Sequence, residues 1–311
     1  MKAMPRTVTA GLDGSAESRA AAEWAAREAR LRGLPLRLVQ AWEPLPDPLA
    51  QAPLLGAEAE QDWIERAPRE SAEGLRLRHP GLEVITEQHT GDPVDVLCEA
   101  AGTSELLALG SRGLSGLHGF IVGSVGMAVA GHAGCPVVLV RAGEQAADEH
   151  LADPAGIPSA ATPFRPVVLG LDITAPHAAL LEFACRTAAL RGAPLRVVYA
   201  WVPQPPPPYD TPGYSYEAEA PPVAEAALEP RNAFMLARAL EPWRKRFPDV
   251  DMAETAVEGS AGSVLVDASR DACLVVVGRR VRKGRFGAHL GHVAHAVLHH
   301  AAGPVAVVPH D

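Results

Sequence analysis

Short β-branched apolar runs alternate along the chain with longer alanine-rich amphipathic stretches, and the whole alternation occurs twice. In the first half the apolar runs fall at 6–12, 36–41, 82–88, 106–109 and 136–140; in the second they fall at 166–171, 195–200, 250–257, 273–277 and 305–308. Strand-length runs separated by helix-length segments predict a parallel sheet with helices on both faces. The first helix follows Asp13, with Ser15 or Ser18 as its N-cap and Gly33 as its terminating glycine. A second covers 58–78, kinked or restarted at Pro68. Gly91-Asp92-Pro93 opens a third with proline in the tolerated first turn, and the last begins near Ser124. In the second half the long helices are predicted over 175–191 and 224–246.

The repetition can be counted. Asp13 and Trp42 reappear as Asp172 and Trp201, both offset by 159 residues, whereas Pro80, Gly91, Gly110, Gly123 and Pro136 reappear 168 residues later as Pro248, Gly259, Gly278, Gly291 and Pro304. The nine extra residues lie between Trp201 and Pro248, where PQPPPPYDTPGYSY reads as a solvated, proline-stiffened insertion. A unit this long is a domain, too long for a solenoid repeat. The expected architecture is therefore α/β: two tandem open-sheet domains, 1–141 and 166–311, each a five-stranded, mainly parallel sheet with helices on both faces. Residues 142–165, rich in Ala, Pro and acids and without sustained apolar period, read as the linker.

Composition removes several function classes. With 21% charged residues, 48% hydrophobic residues and a formal net charge of −9, the chain lacks the broad basic field of a nucleic-acid binder. The amino terminus has neither an apolar signal core nor a small-residue cleavage site, and no uncharged apolar stretch reaches about 18 residues. A cytoplasmic protein without membrane contact is the expectation. Cys98, Cys135, Cys185 and Cys273 are isolated in apolar settings and read as small buried hydrophobes, Cys135 being the one candidate for a reactive thiol.

The candidate chemistry lies where the two copies differ. Residues 110–124 read GSRGLSGLHGFIVGS and residues 278–292 read GRRVRKGRFGAHLGH. In an open α/β sheet, ligands settle beyond the carboxyl ends of the strands where strand order reverses. If the first and fourth strands are neighbours, Asp13 faces the glycine-rich loop across that crevice. Gly110, Gly113 and Gly123 would leave main-chain N–H groups uncovered, and the helix beginning at Ser124 would add its leading amides and dipole, a nest suited to a di- or triphosphate. Ser124 reads either as a hydroxyl donor to phosphate or as a simple helix cap, and Arg112 either as a phosphate partner or as a solvated loop residue. No Walker A sequence and no GxGxxG fingerprint occurs. From these residues alone the reading stops at an anion site.

The spacing G-x2-G-x9-G-S met by Gly110, Gly113, Gly123 and Ser124, together with LDGS at 12–15 and CPVVLVR at 135–141, resembles the universal stress protein family, and the likeness extends over both halves. The resemblance implies a tandem member. It further implies that, as in ATP-binding members, adenine and ribose lie by Asp13, Gly14, Ser15, Ala41 and Gly110, and the phosphates by Arg112, Gly113, Gly123, Ser124 and Val125. A magnesium or manganese ion would accompany the nucleotide. It also implies that the final strands, 136–140 and 304–308, pair antiparallel within one chain as a pseudo-dimer, with a homodimer left open.

The second copy has Val281 at the place of Gly113, His292 at that of Ser124, and Ile173-Thr174 at that of Gly14-Ser15. A β-branched side chain restricts such a loop, so weak or absent nucleotide binding is expected there. Arg279, Arg280, Arg282, Lys283 and Arg285 read as a solvated face, with another anion as the alternative. His289, His292, His295 and His299 recur on one helix face but lack a carboxylate or cysteine partner, which disfavours a metal site. Trp24, Ala21, Ala25 and Leu31 read as core, and Trp42 and Trp201 as covers over the pocket, with bordering it as the alternative. The expected protein is a non-enzymatic, ATP-binding stress-response module with its nucleotide in the first domain. The alternatives are a slow ATPase or nucleotidyl transferase, and a scaffold that no longer binds nucleotide.

Overall fold

A computed structural model describes residues 6–42, 57–111, 123–203, 228–281 and 290–311, with backbone alone for 57–67. The N-terminal half runs β1 (Thr7–Leu12), α1 (Ala16–Arg32), β2 (Leu36–Trp42), α2 (Ala57–Arg78), β3 (Val84–Thr90), α3 (Pro93–Ala101), β4 (Ser104–Ser111), α4 (Ser124–His132) and β5 (Val137–Arg141). The C-terminal half repeats it as β6 (Val167–Gly170), α5 (Ala178–Arg191), β7 (Leu195–Trp201), α6 (Leu228–Arg246), β8 (Met252–Glu258), α7 (Ala261–Ala268), β9 (Leu274–Arg280), α8 (His292–His300) and β10 (Val305–His310). Pro68 lies inside α2, which continues through it as one helix where the sequence suggested a kink or restart.

All ten strands form one sheet, ordered β3-β2-β1-β4-β5-β10-β9-β6-β7-β8. Pairing is parallel within each half, and the halves join through antiparallel β5 and β10, with Val305 opposite Leu139 and Val307 opposite Val137. The final strands therefore pair within one chain, as the resemblance implies. Central β1 is buried at every residue, whereas the outermost strands β3 and β8 are mostly open to solvent. Continuous apolar runs inside and polar residues at the rims are what a sheet covered on both faces requires.

Two apolar layers hold the helices to the sheet, and each spans both halves. Alanines of α1 let the helix approach β1 closely around the fully buried Trp24, on the face that also carries Ala72 and Leu75 of α2 and the buried leucines of α5 and α6. The opposite layer packs α3, α4, α7 and α8. The halves also share a buried ion network. Glu28 of α1 accepts from Arg32 Nε (2.6 Å) and from Arg191 Nη2 of α5 (2.5 Å), while Arg32 Nη2 donates to Thr187 Oγ1 (3.2 Å). Burial alone would raise the Glu28 pKa, but the two guanidinium groups outweigh it and hold the carboxyl below its ordinary range.

The segment read as a linker is folded onto the body. Ala146–Glu149 form a 3-10 turn, His150 bridges to Phe164, and buried Glu149 pairs with Arg27 at 3.0 Å. All four cysteines are free. Burial pushes the Cys135 thiol up to about 12, which makes it inert and removes it as a reactive candidate. Among the described residues no helix is long and apolar enough to cross a membrane.

Candidate functional site

Strand order reverses between β1 and β4, which are hydrogen-bonded neighbours, and β1 pairs on its other side with β2. The helices after β1 and β4 therefore leave on opposite faces and open a crevice at the carboxyl ends of these strands. A cavity of about 340 Å³ occupies it, lined among others by Asp13, Ser15, Ala41, Gly110, Gly123, Ser124 and Val125. Seven residues singled out in the sequence are thus brought to one cavity, with Gly14 in the adjoining turn. Arg112 and Gly113 lie outside the described residues.

The β1–α1 turn is built by its own hydrogen bonds. Gly14 has φ +78°, a left-handed conformation that favours glycine, and Asp13 Oδ1 accepts the Ser15 N–H at 2.9 Å. Ser15 is the N-cap, its hydroxyl accepting from Ser18 N at 3.0 Å, and the Ser18 hydroxyl in turn accepts the Asp13 N–H at 3.4 Å. Partial burial would raise the Asp13 pKa; the bonds from Ser15 and Ser18 outweigh it and hold the carboxylate below its ordinary range. Asp13 is therefore an ionised acceptor at neutral pH.

The opposite wall is the start of α4. Gly123 is its N-cap, Ser124 its first helical residue, and no side chain caps the helix, so the reading of Ser124 as a simple cap does not hold. Among the described residues the helix start has no side-chain cap bond, and a Cβ placed on Gly123 would meet nothing within 4 Å. Uncapped amides at the positive end of a helix, beside open space, form an anion-binding surface. Gly110 is bare for a different reason. A Cβ there would lie 2.5 Å from the Glu17 carbonyl carbon and 2.7 Å from Ser18 N, so the glycine lets α1 pack across β4 whether or not a ligand is present.

Sequence reasoning missed the wall formed by Pro93 and Leu97 of α3. Its signal was present in Gly91-Asp92-Pro93, which starts α3 at the carboxyl end of β3, with Asp92 Oδ1 accepting from Val94 N and Asp95 N. Neither Trp42 nor Trp201 is among the lining residues, and their carbonyls accept the N–H groups of Gly91 and Gly259 in the turns before α3 and α7.

The C-terminal half has a matching cavity of about 480 Å³ at the ends of β6 and β9. Asp172 keeps its turn, Oδ1 accepting the Thr174 N–H at 2.9 Å and the Thr174 hydroxyl at 2.7 Å. The Val281 N–H, counterpart of the Gly113 amide, is already bonded to the His310 carbonyl at 2.7 Å. Of the basic cluster, Arg279 is not solvated: it is 4% exposed, and its Nη2 donates across the domain boundary to the Ala133 carbonyl at the end of α4 at 2.5 Å. Arg280 is exposed, and 282–289 lie outside the described residues, His289 among them. The His295 and His299 rings meet at 4.4 Å between centroids, tilted by 40°, and among the described residues no group of three potential ligands could hold a metal.

Fold and crevices together define a class: a tandem, doubly wound α/β protein with one switch-point cavity per repeat. The chain belongs to the universal stress protein family, whose sequence model matches residues 4–141 and 163–309. Universal stress protein Rv2005c of Mycobacterium tuberculosis is 31% identical over 307 residues, covering 96% of each chain. Universal stress protein Rv1996 of the same organism is 29% identical over 326 residues, covering 98% of this chain and 96% of that one. The fold is shared with a crystal structure of a universal stress protein from Archaeoglobus fulgidus, at a TM-score of 0.63 and 16% identity, covering 98% and 99% of the two chains.

Proposed function

We propose that the N-terminal cavity binds a nucleotide, ATP by the motif it carries, and that the protein acts as a nucleotide-dependent regulatory module in a stress response. The observation that carries this reading is the pairing of two features in one crevice: an ionised acceptor, Asp13, on one side, and the uncapped start of α4 at Gly123-Ser124 on the other. The first suits hydroxyl and amine donors of a nucleoside; the second suits phosphate oxygens. A divalent ion bound with the nucleotide would neutralise phosphate charge and take its ligands mainly from phosphate oxygens and water, with the Ser124 hydroxyl as a fitting side chain at the cavity wall.

Binding without turnover fits the same geometry. Asp13 is tied into its own turn and held ionised at the end of β1, and the remaining acidic lining residue, Glu17, lies beside it in the first turn of α1. Both belong to the wall opposite the start of α4, where a phosphoryl transfer would need a base, and no other acidic residue lines the cavity among the described residues. Nucleotide would act by linkage, stabilising the bound conformation and the surface it presents. Mass analysis of nucleotide carried through purification, followed by calorimetric titration, tests the reading. One ATP per chain is expected, and Gly113→Val, which copies residue 281 into the intact loop, should weaken binding by about tenfold or more. Unchanged affinity in that variant overturns the assignment of the phosphate seat.

A further inference from the structure

The two cavities differ in charge as well as in shape. Among the described residues, the ionisable groups lining the N-terminal cavity are Asp13 and Glu17, both acidic. The C-terminal cavity is lined by His177, Tyr199, Arg280 and His310 beside one carboxylate, Asp172, whose Oδ1 is already engaged by Thr174. Two carboxylates in the first cavity give way to one carboxylate facing one guanidinium and two imidazoles in the second.

This lining comes from a rebuilt first turn. His177 stands 159 residues after Ser18, at the equivalent position, but α5 begins at Ala178, about one turn later than α1 would dictate. No non-glycine residue among those described has positive φ, so Ile173 cannot take the left-handed path of Gly14, and it turns into the core instead. In the space so released, the His177 and His310 rings stack at 3.9 Å between centroids and 26° between planes. The His310 ring lies against Gly278, where a Cβ would come within 2.7 Å of Nε2. His177 Nε2 is buried with no hydrogen-bond partner, an unmet demand at the cavity wall.

Three helix starts add to the positive character. First-turn residues of α5, α7 and α8 (Leu180, Ala261 and Val293) all line the cavity, and among the described residues none of the three helices has a side-chain cap bond. In the N-terminal half, by contrast, Ser15 caps α1 and Asp92 caps α3. The rest of the wall is apolar, with Leu171, Val198 and Val277. A polyphosphate is disfavoured because the Val281 amide is spent on His310.

We propose that the C-terminal cavity is a second ligand site, selective for a small organic anion: an aromatic or apolar body with one compact anionic head. The head is held by His177, Arg280 and uncapped helix N–H groups, and the body lies against the apolar wall. This site is independent of the nucleotide reading of the first repeat.

Phenyl phosphate and benzoate are the probes, titrated into the full-length protein while the ring resonances of His177 and His310 are followed by NMR. At least one probe should shift both resonances saturably, and the tighter of the two identifies the head as phosphomonoester or carboxylate. Arg280→Ala, at an exposed position, should weaken binding by about tenfold, the scale of one charge-assisted hydrogen bond. His177→Ala should do the same, while Gly113→Val leaves it unchanged. If His177→Ala does not fold, the Arg280 variant carries the test alone. Absence of a saturable shift with both probes, or shifts that persist undiminished in Arg280→Ala, overturns the proposal.

Discussion

Two turns at equivalent places, Asp13-Gly14-Ser15 and Asp172-Ile173-Thr174, show how one residue redirects a binding site. Both aspartates accept an N–H from the residue two further on. Where glycine follows, the chain takes φ +78° and enters its helix at Ala16; where isoleucine follows, the side chain is buried in the core and the helix starts at Ala178. The consequence is chemical. The first cavity keeps an acidic turn facing uncapped amides, while the second replaces the lost helical turn with two imidazoles.

The largest test of the comparison lies where the halves meet. Glu28 and Arg32 in α1 correspond, at the offset of 159, to Thr187 and Arg191 in α5. One carboxylate thus serves two guanidinium groups whose side chains are 2% and 1% exposed. Glu28→Thr makes the helices alike and leaves buried Arg191 without its carboxylate partner, while Arg32 keeps Glu105 at 3.8 Å, a loss expected at about 3–5 kcal/mol in urea denaturation. The effect has a defined pH dependence. Because the folded-state pKa of Glu28 is depressed from its ordinary 4.5, its contribution is complete above about that pH and is lost as pH falls through the lower folded value. The variant should therefore show a flatter acid limb than the native protein, and equal limbs would place the acid sensitivity elsewhere.

Next in size is Gly14→Ile, which copies residue 173 into the first turn. A β-branched residue at φ +78° is strained by about 1–3 kcal/mol. The turn should either bear that cost or move, and moving would release the Ser15 cap. Denaturation midpoints and ATP titration read the two outcomes separately, and a variant with native stability and native affinity would show that the turn's path is not set by this glycine.

The sequence made the elements legible because each rests on local signals. Gly33 ends α1 in the left-handed conformation, Asp92 caps α3, and apolar runs mark all ten strands. The convergence of Asp13 and Gly123 was legible on the condition that β1 and β4 are neighbours, which they are, whereas Ala41 came from the family resemblance alone. What stayed hidden depends on residues remote in sequence. Arg279 reads as part of an exposed basic run until β9 is placed two strands from β5 and its guanidinium reaches Ala133. His310 becomes a cavity residue only because Gly278, 32 positions earlier, leaves room for its ring. Gly110 was read as a ligand residue and proves indispensable to helix packing, a distinction that spacing cannot make.

The smallest effect gives the sharpest contrast, because it compares two caps at one position of the repeat. Asp92 and Ser260 are related by the offset of 168, and each precedes the helix that borders its cavity. Asp92 Oδ1 accepts two backbone N–H bonds, at 2.8 and 3.2 Å, whereas Ser260 makes no side-chain cap bond. Asp92→Ala should therefore cost about 1 kcal/mol, and Ser260→Ala only a few tenths, when both are measured by denaturation without ligand. If the start of α7 is left open for an anion, saturating phenyl phosphate should stabilise the Ser260→Ala protein as much as the native one, since the hydroxyl contributes nothing to either state. Equal costs for the two substitutions would mean that Ser260 caps its helix in solution, and the contrast between a closed and an open helix start would fall with it.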